Sequence, residues 1–539
     1  MSGSITLENR FGVNKMELIS LKYAIFVIVL LVLYYCFPKK YRWYVLLAGS
    51  MAYYVIICKW YVLFIIFTIC TTYGSTIWID KLLKKQNAIV KSHKEDWDRQ
   101  TRKEYKEKGR KKRVAVMLFA LLCNFGILAF LKYIPYAGEL GLLLPLGISF
   151  YTFQSMGYVM DVYREIVEPE KNFLKVALFV SFFPQIIQGP IAIYDKLAGQ
   201  LYEGHSLRLE NLQKGALLVL WGVMKKLVIA DRAVNIINFV MDKPMDFSGT
   251  YVFFAAVVYA LQLYADFSGG IDIVRGIAEM FGITMSTNFN HPYFSRSLTE
   301  YWHRWHMTLG DWCRNYIFYP LSISKRFLNF GKWLKPRFGA HISKVLPGCI
   351  ASVITFIVIG VWHGANMKYL YFGLWNGIVI MLAELFAPVN KKVAGGFFKL
   401  TGLREKGIFA TIVSVLWTFM LILVGYYFDI AANASTAFHM LFKSVTDFHI
   451  SELGINNIIL NLGACGLDEY DILLLIICTL LWFFISFVEE NKKLDMRNFI
   501  LSRKLPLRWA IIYLGIFIVI IFGYYGPGVN PADFVYMQF

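Results

Sequence analysis

The sequence predicts an all-α, polytopic membrane protein, on three observations. Apolar runs near the ~20 residues that a helix needs to cross a bilayer recur along the whole chain. Hydrophobic residues make up 57% of the 539 positions and charged ones 17%, too few to cover a soluble protein of this size. The charge that is present gathers between the apolar runs. In lipid such runs satisfy their own backbone as helices.

The first four runs are Ser20 to Phe37, Tyr41 to Cys58, Tyr61 to Ile79 and Val114 to Leu131. Phe173 to Ile193, Ala216 to Ala230, Tyr251 to Phe267 and Ile350 to Val361 follow. Tyr369 to Phe386, Ile408 to Phe428, Ile472 to Val488 and Ala510 to Phe522 complete the series. Several are short or carry polar residues, so the expectation is roughly a dozen crossings or partial crossings, some of them broken or tilted. The polar stretch Met1 to Lys15 lacks the form of a cleavable signal, and the first run reads as a true membrane helix.

Charge sets the expected orientation. Lys81 to Arg113 holds 14 Lys/Arg against 5 Asp/Glu, and Ser324 to Lys344 holds 6 basic residues and no acid. Basic loops stay on the cytoplasmic side. Lys39, Lys40 and Arg42 then mark a cytoplasmic turn after the first span, which places the N-terminus outside. Residues 489–508 are also net basic, so the final span, 509–523, runs outward. Residues 524–539 carry no Lys or Arg and read as an extracytoplasmic tail. The net charge of +19 is therefore a topology signal, and no nucleic-acid partner is expected. Without internal repeats or low-complexity linkers, residues 1–539 read as a single multi-pass domain in contact with membrane lipid. The eight cysteines lack CxxC spacing and mostly sit within apolar runs, as small buried hydrophobes do.

Ionisable residues in lipid are costly and mark pathways or sites. Three segments hold them: YADFSGGIDI around Asp266, the stretch Asn288 to Leu321, and IGVWHGANMKYLYFGLWNGI around His363. On a helix His303 and His306, three residues apart, share a face, flanked by Trp302, Trp305 and Trp312. His363 falls at the polar end of a span beside Trp362 and Asn366. A neutral imidazole takes up and returns a proton at physiological pH. A membrane histidine that only bonds a neighbouring helix is equally consistent with periodicity, and His303 fits an interfacial position. Glu300, His303 and His306 do not have the H-E-x-x-H zinc spacing, so no metal is expected.

Five segments resemble the membrane-bound O-acyltransferase family, in particular its bacterial alginate O-acetyltransferase-like branch. They are LPLGISFYTFQSMGY (144–158), SFFPQIIQGPI (181–191), YADFSGG (264–270), NFNHPYFSRSLTEYWHRWHMTLGDWCRNYIFYPL (288–321) and GVWHGANMKYLYFGLWNGI (360–378). The resemblance covers roughly residues 144–378, in the family's order, and marks that stretch as the catalytic core. It implies a ring of tilted helices around a central funnel in the bacterial plasma membrane. It also implies His363 as principal catalytic histidine, His306 as its partner, and an acetyl-CoA-like thioester as cytoplasmic donor. Trp302, Trp305, Trp362, Asn366 and Gln185 are the expected substrate-binding residues. The family's usual FWRRWH stands here with Tyr301 and His303 in place of Phe and the first Arg, and its Arg-Asp-Tyr is Arg314-Asn315-Tyr316.

FVYMQF, 534–539, has Phe-x-Tyr-x-x-Phe spacing and, from its composition, would prefer a groove to water. Related systems carry this motif on the acyltransferase or on a separate small peptide, with the tyrosine as acyl carrier. The resemblance thus implies Tyr536 as a third catalytic residue, an extracytoplasmic SGNH/esterase-like transferase as partner, and an extracellular or cell-wall polysaccharide as acceptor. D-alanyl transfer to teichoic acid is the nearest alternative activity. A proton-coupled transporter or flippase is the alternative from another class.

Overall fold

The apolar runs become helices, because intra-segment hydrogen bonds satisfy peptide groups that lipid cannot. The computed structural model describes residues 18–526, apart from 135–137, 139–140, 402–403, 405–406, 455–456 and 458–464, together with Phe534; of 397 and 398 it describes the backbone alone. In chain order the helices are α1 (Leu21–Cys36), α2 (Arg42–Cys58), α3 (Val62–Ser92), α4 (Arg99–Tyr133), α5 (Ile148–Tyr163), α6 (Phe173–Ser181) and α7 (Phe183–Gln188). Then come α8 (Tyr194–Tyr202), α9 (Leu209–Met224), α10 (Asp231–Met241), α11 (Gly249–Met280), α12 (Leu298–Arg304), α13 (Met307–Cys313) and α14 (Tyr319–Ser322). The last are α15 (Lys325–His363), α16 (Met367–Leu385), α17 (Ala387–Thr401), α18 (Ile408–Ile430), α19 (Ala434–Thr446), α20 (Glu469–Lys492), α21 (Met496–Leu501) and α22 (Leu505–Phe522).

Among the described residues seven helical stretches are long and apolar enough to cross a membrane, or eight if the bent pair α16 and α17 is one span. One of them, Lys39–Ser92, contains both α2 and α3. The dozen crossings or partial crossings expected from the runs thus resolve into fewer full spans plus shorter helices. The run Phe173 to Ile193 is one that breaks. Its helix stops at Ser181, restarts with Pro184 in the first turn of α7, and ends at Gly189. A proline lacks the N–H that would continue the ladder, so the restart is the form the sequence allows.

The chain falls into two compact units, Met1–Val219 with Ile271–Ser286 and Leu220–Gly270 with Thr287–Phe539. In the first unit Tyr23, Tyr34, Tyr53, Tyr54, Tyr151 and Tyr158 are fully buried. The basic stretch 81–113 is not a loop. α3 runs on to Ser92, and α4 starts at Arg99, capped by the Asp98 carboxylate, which accepts from the Thr101 N–H at 2.9 Å. Lys, Arg, Glu and Gln are good helix formers, so a charge-rich stretch beside an apolar run extends the helix.

In the second unit α15 and α16 pack along their length, α16 against α18, and α12 against both α16 and α18. Glycines permit the first contact. A Cβ on Gly360 would strike the backbone oxygen of Tyr369, and one on Gly373 that of Phe356. Small residues let membrane helices approach backbone to backbone. The basic stretch 324–344 is also largely helical, forming the first arm of α15, which breaks at Gly339 (φ 80°).

Candidate active site

All residues of the candidate site lie in the second unit. α12 begins in a capping arrangement: Ser297 Oγ accepts from the Glu300 N–H at 3.1 Å, and the Glu300 carboxylate accepts from the Arg296 N–H at 2.8 Å. The helix ends at Arg304. Trp305 is extended (φ −99°, ψ 129°), and His306 takes the left-handed conformation (φ 44°, ψ 52°) as α13 begins. His303 and His306 therefore do not share a helix face. His303 is exposed, whereas His306 is buried. Two backbone bonds clamp the turn: the Met307 N–H donates to Asn288 O at 2.9 Å, and the Asn290 N–H to Arg304 O at 3.0 Å.

The same segment fixes the His306 ring. Asn288 Oδ1 accepts from the Thr308 N–H at 3.1 Å and from the Thr308 hydroxyl at 2.8 Å, which settles which end of the amide is oxygen. That oxygen lies 3.1 Å from His306 Nδ1. An amide oxygen only accepts, so Nδ1 carries the proton, and Nε2 of the neutral ring holds the lone pair.

His363 is the last residue of α15, and the chain turns at Gly364 into α16. A Cβ at Gly364 would press into the Tyr369 ring, which itself lies 5.9 Å from the His363 ring, near-parallel at 23°. The Trp362 indole is 5.0 Å from His363 and 6.4 Å from His306, ring to ring.

His306 and His363 line one recess, walled by Tyr301, Trp302, Trp305, Phe372 and Tyr426, with Asn376 and Asp429 as further polar groups. Hydrogen bonds lock these walls. Trp302 Nε1 donates to Asn376 Oδ1 at 3.0 Å, and Asn376 Nδ2 donates to Phe372 O at 2.8 Å. The Tyr426 hydroxyl is 2.7 Å from that of Tyr301 and 3.1 Å from that of Tyr293. Tyr259 donates to Asp429 Oδ2 at 2.7 Å. A recess of fixed aromatic walls with two imidazoles on its lining can hold a small reactant and move a proton.

Of the residues expected from the sequence, the structure brings His306, His363, Trp302 and Trp305 to this recess, with Trp362 packed on both imidazoles. Asn366 is not on the lining. It caps α16, accepting from the Lys368 N–H at 3.1 Å, and donates to Ala432 O at 3.3 Å. Gln185 belongs to the first unit, where it is buried, donating to Gln154 Oε1 and, at 3.1 Å, to Pro190 O. Tyr536 lies outside the described residues. Asn288, Asn376, Tyr426 and Asp429 were not singled out. Asp429 carried a signal, as an acid at the end of an apolar run, by the criterion that marks Asp266.

The descriptive model of the membrane-bound O-acyltransferase family matches residues 169–335, which include His306 and the clamped turn that holds it. Over that stretch the chain is similar to the membrane-bound O-acyltransferase family. It is 30% identical over 315 residues to a probable alginate O-acetylase of Pseudomonas syringae pv. tomato, covering 58% of this chain and 54% of that protein. It is 30% identical to a peptidoglycan O-acetyltransferase of Helicobacter pylori, covering 51% of this chain and 56% of that protein. A teichoic acid D-alanyltransferase of Bacillus subtilis is 26% identical, covering 52% of this chain and 67% of that protein. The chain thus spans little more than half the length of the alginate and peptidoglycan relatives. In the Arg-Asn-Tyr sequence at 314–316, Arg314 bonds the carboxylate of Asp311, one turn earlier, at 2.6 Å.

Proposed function

We propose that the protein is a membrane-embedded O-acyltransferase that moves an acetyl group from a cytoplasmic thioester, acetyl-CoA, to a hydroxyl. The reading rests above all on one observation: His306 and His363 line a single aromatic recess. The acceptor O–H loses its proton to His363 as its oxygen attacks the thioester carbonyl. The C–S bond breaks, the C–O bond forms, and the proton passes through the histidine pair to the departing thiolate. A neutral His306 protonated on Nδ1 presents an acceptor at Nε2. It therefore suits orienting the acceptor hydroxyl or relaying its proton better than stabilising an oxyanion, which needs a donor.

Tyr536 is the proposed first acceptor. Its phenol, with a pKa near ~10, needs such a base to become a nucleophile. With both chain ends extracytoplasmic, as the basic stretches favour, acetyl-Tyr536 would hand its group to an SGNH/esterase-like transferase for a polysaccharide of the cell surface. The alginate and peptidoglycan O-acetylation named for the relatives supports this acceptor class. The similarity to teichoic acid D-alanyltransferases keeps D-alanyl transfer as a second reading. Membranes carrying the protein, given labelled acetyl-CoA, should transfer label to protein or polysaccharide, and His363→Ala should stop it. Transfer that persists in His363→Ala would overturn the mechanism.

A further inference from the structure

Lys226 and Asp266 are almost wholly inaccessible, and the mechanism above uses neither. Lys226 sits in a wide turn after α9, where the Asp231 N–H reaches back five residues to Lys226 O. Its ammonium is 2.7 Å from Asp266 Oδ1 on α11 and 2.8 Å from Asp231 Oδ1. Buried charges are expensive, and a membrane interior makes them more so. A cation held between two carboxylates there is a fixed, oriented group.

The Phe534 ring lies 4.5 Å from that ammonium and is itself buried. A second residue beyond α22 meets the same element. After α22, the Tyr524 N–H donates to Leu227 O at 2.8 Å, its hydroxyl donates to Asn235 Oδ1 at 3.3 Å, and its ring lies 5.6 Å from the Arg232 guanidinium. Arg232 in turn donates to Phe522 O at 3.0 Å. Two aromatic residues of the segment beyond α22 therefore each sit against a cation of 225–235, an arrangement that the ring quadrupole favours.

The clamp also meets the candidate site. One residue beyond Asp266, the Phe267 ring stands edge-on to His306 at 4.8 Å. Phe534 is two positions before Tyr536, a chain reach of about 7 Å at most.

We propose that Lys226, gripped by Asp231 and Asp266, is a positioning residue: it docks the FVYMQF segment through Phe534 against the helix turn that packs on His306. This rests on the acyl-carrier reading for its purpose but not for its test. Hydrogen–deuterium exchange of the full-length protein in detergent, without acyl donor, reads docking directly. Phe534→Leu keeps apolar bulk and the intact ion cluster but removes the ring, and should speed exchange of the peptide covering 527–539 several-fold to roughly tenfold. Phe534→Tyr should leave it at the parent rate. A benzophenone amino acid at 534 should photocrosslink to the peptide containing residues 225–235. Parent-like exchange in Phe534→Leu, or crosslinks only to other peptides or detergent, overturns the proposal. Mass spectrometry after adding acetyl-CoA separates the two readings. A docked tail never acetylated on Tyr536 sinks the carrier and leaves the anchor, whereas an acetylated but undocked tail does the reverse.

Discussion

The side-chain oxygen of Asn288 accepts a hydrogen bond from the Nδ1–H of His306, and so decides which nitrogen of that ring is basic. The bond also ties two segments together, since the same oxygen serves Thr308 twice. Asn288→Ala should therefore lower acyl transfer by about tenfold or more through loss of one oriented hydrogen bond to the imidazole. It should also lower the unfolding temperature in detergent. Rates measured below the onset of unfolding separate the two effects, and an unchanged rate there would remove Asn288 from the account.

The left-handed backbone of His306 yields a second prediction. Asn tolerates that region better than Ala, because its short polar side chain bonds locally. His306→Asn and His306→Ala should both lose acyl transfer, since neither has a basic nitrogen. His306→Asn should be the more stable, by about 1 kcal/mol, the usual scale of such backbone strain. Thermal unfolding of the two purified variants checks the order.

Much of the architecture could be read in the apolar runs, and His363 stood out because an imidazole at the end of a span is rare and costly. Other features needed the third dimension. His303 and His306 read as one helical face only while the helix was assumed continuous. Trp305 and His306 break it, and no residue in YWHRWH announces the break. Asn366 looked like a site residue from its nearness to His363 in sequence, yet it spends its side chain capping α16. Asn288 and Asn376 matter through partners, His306 and Trp302, that lie 18 and 74 positions away. Charge marked 81–113 correctly as basic but said nothing of its helicity.

The position of His363 depends on the close seam between α15 and α16. Gly373→Val should push the helices apart at Phe356 O, costing roughly 1–3 kcal/mol as overpacking does. Acyl transfer should fall with the amount of folded protein and further, because the turn after His363 moves. A fully active, normally stable Gly373→Val protein would show that the seam does not set the site.

Trp302→Phe keeps the wall of the recess but leaves Asn376 Oδ1 without its indole donor. Loss of a donor to a buried acceptor costs ~1–3 kcal/mol. The expected outcome is a lower unfolding temperature with the two histidines still in place. A kcat reduced far less than in His363→Ala would check it.

The central claim is that the recess of His306 and His363 loads an acyl group onto a tyrosine of the same chain. Mass spectrometry of the peptide containing Tyr536, after incubation of the purified protein with acetyl-CoA, tests it most directly. The account predicts an acetyl group on Tyr536 in the parent protein and none in His363→Ala. An unmodified Tyr536 in a protein that still transfers acetyl groups, or equal modification in both proteins, would contradict it.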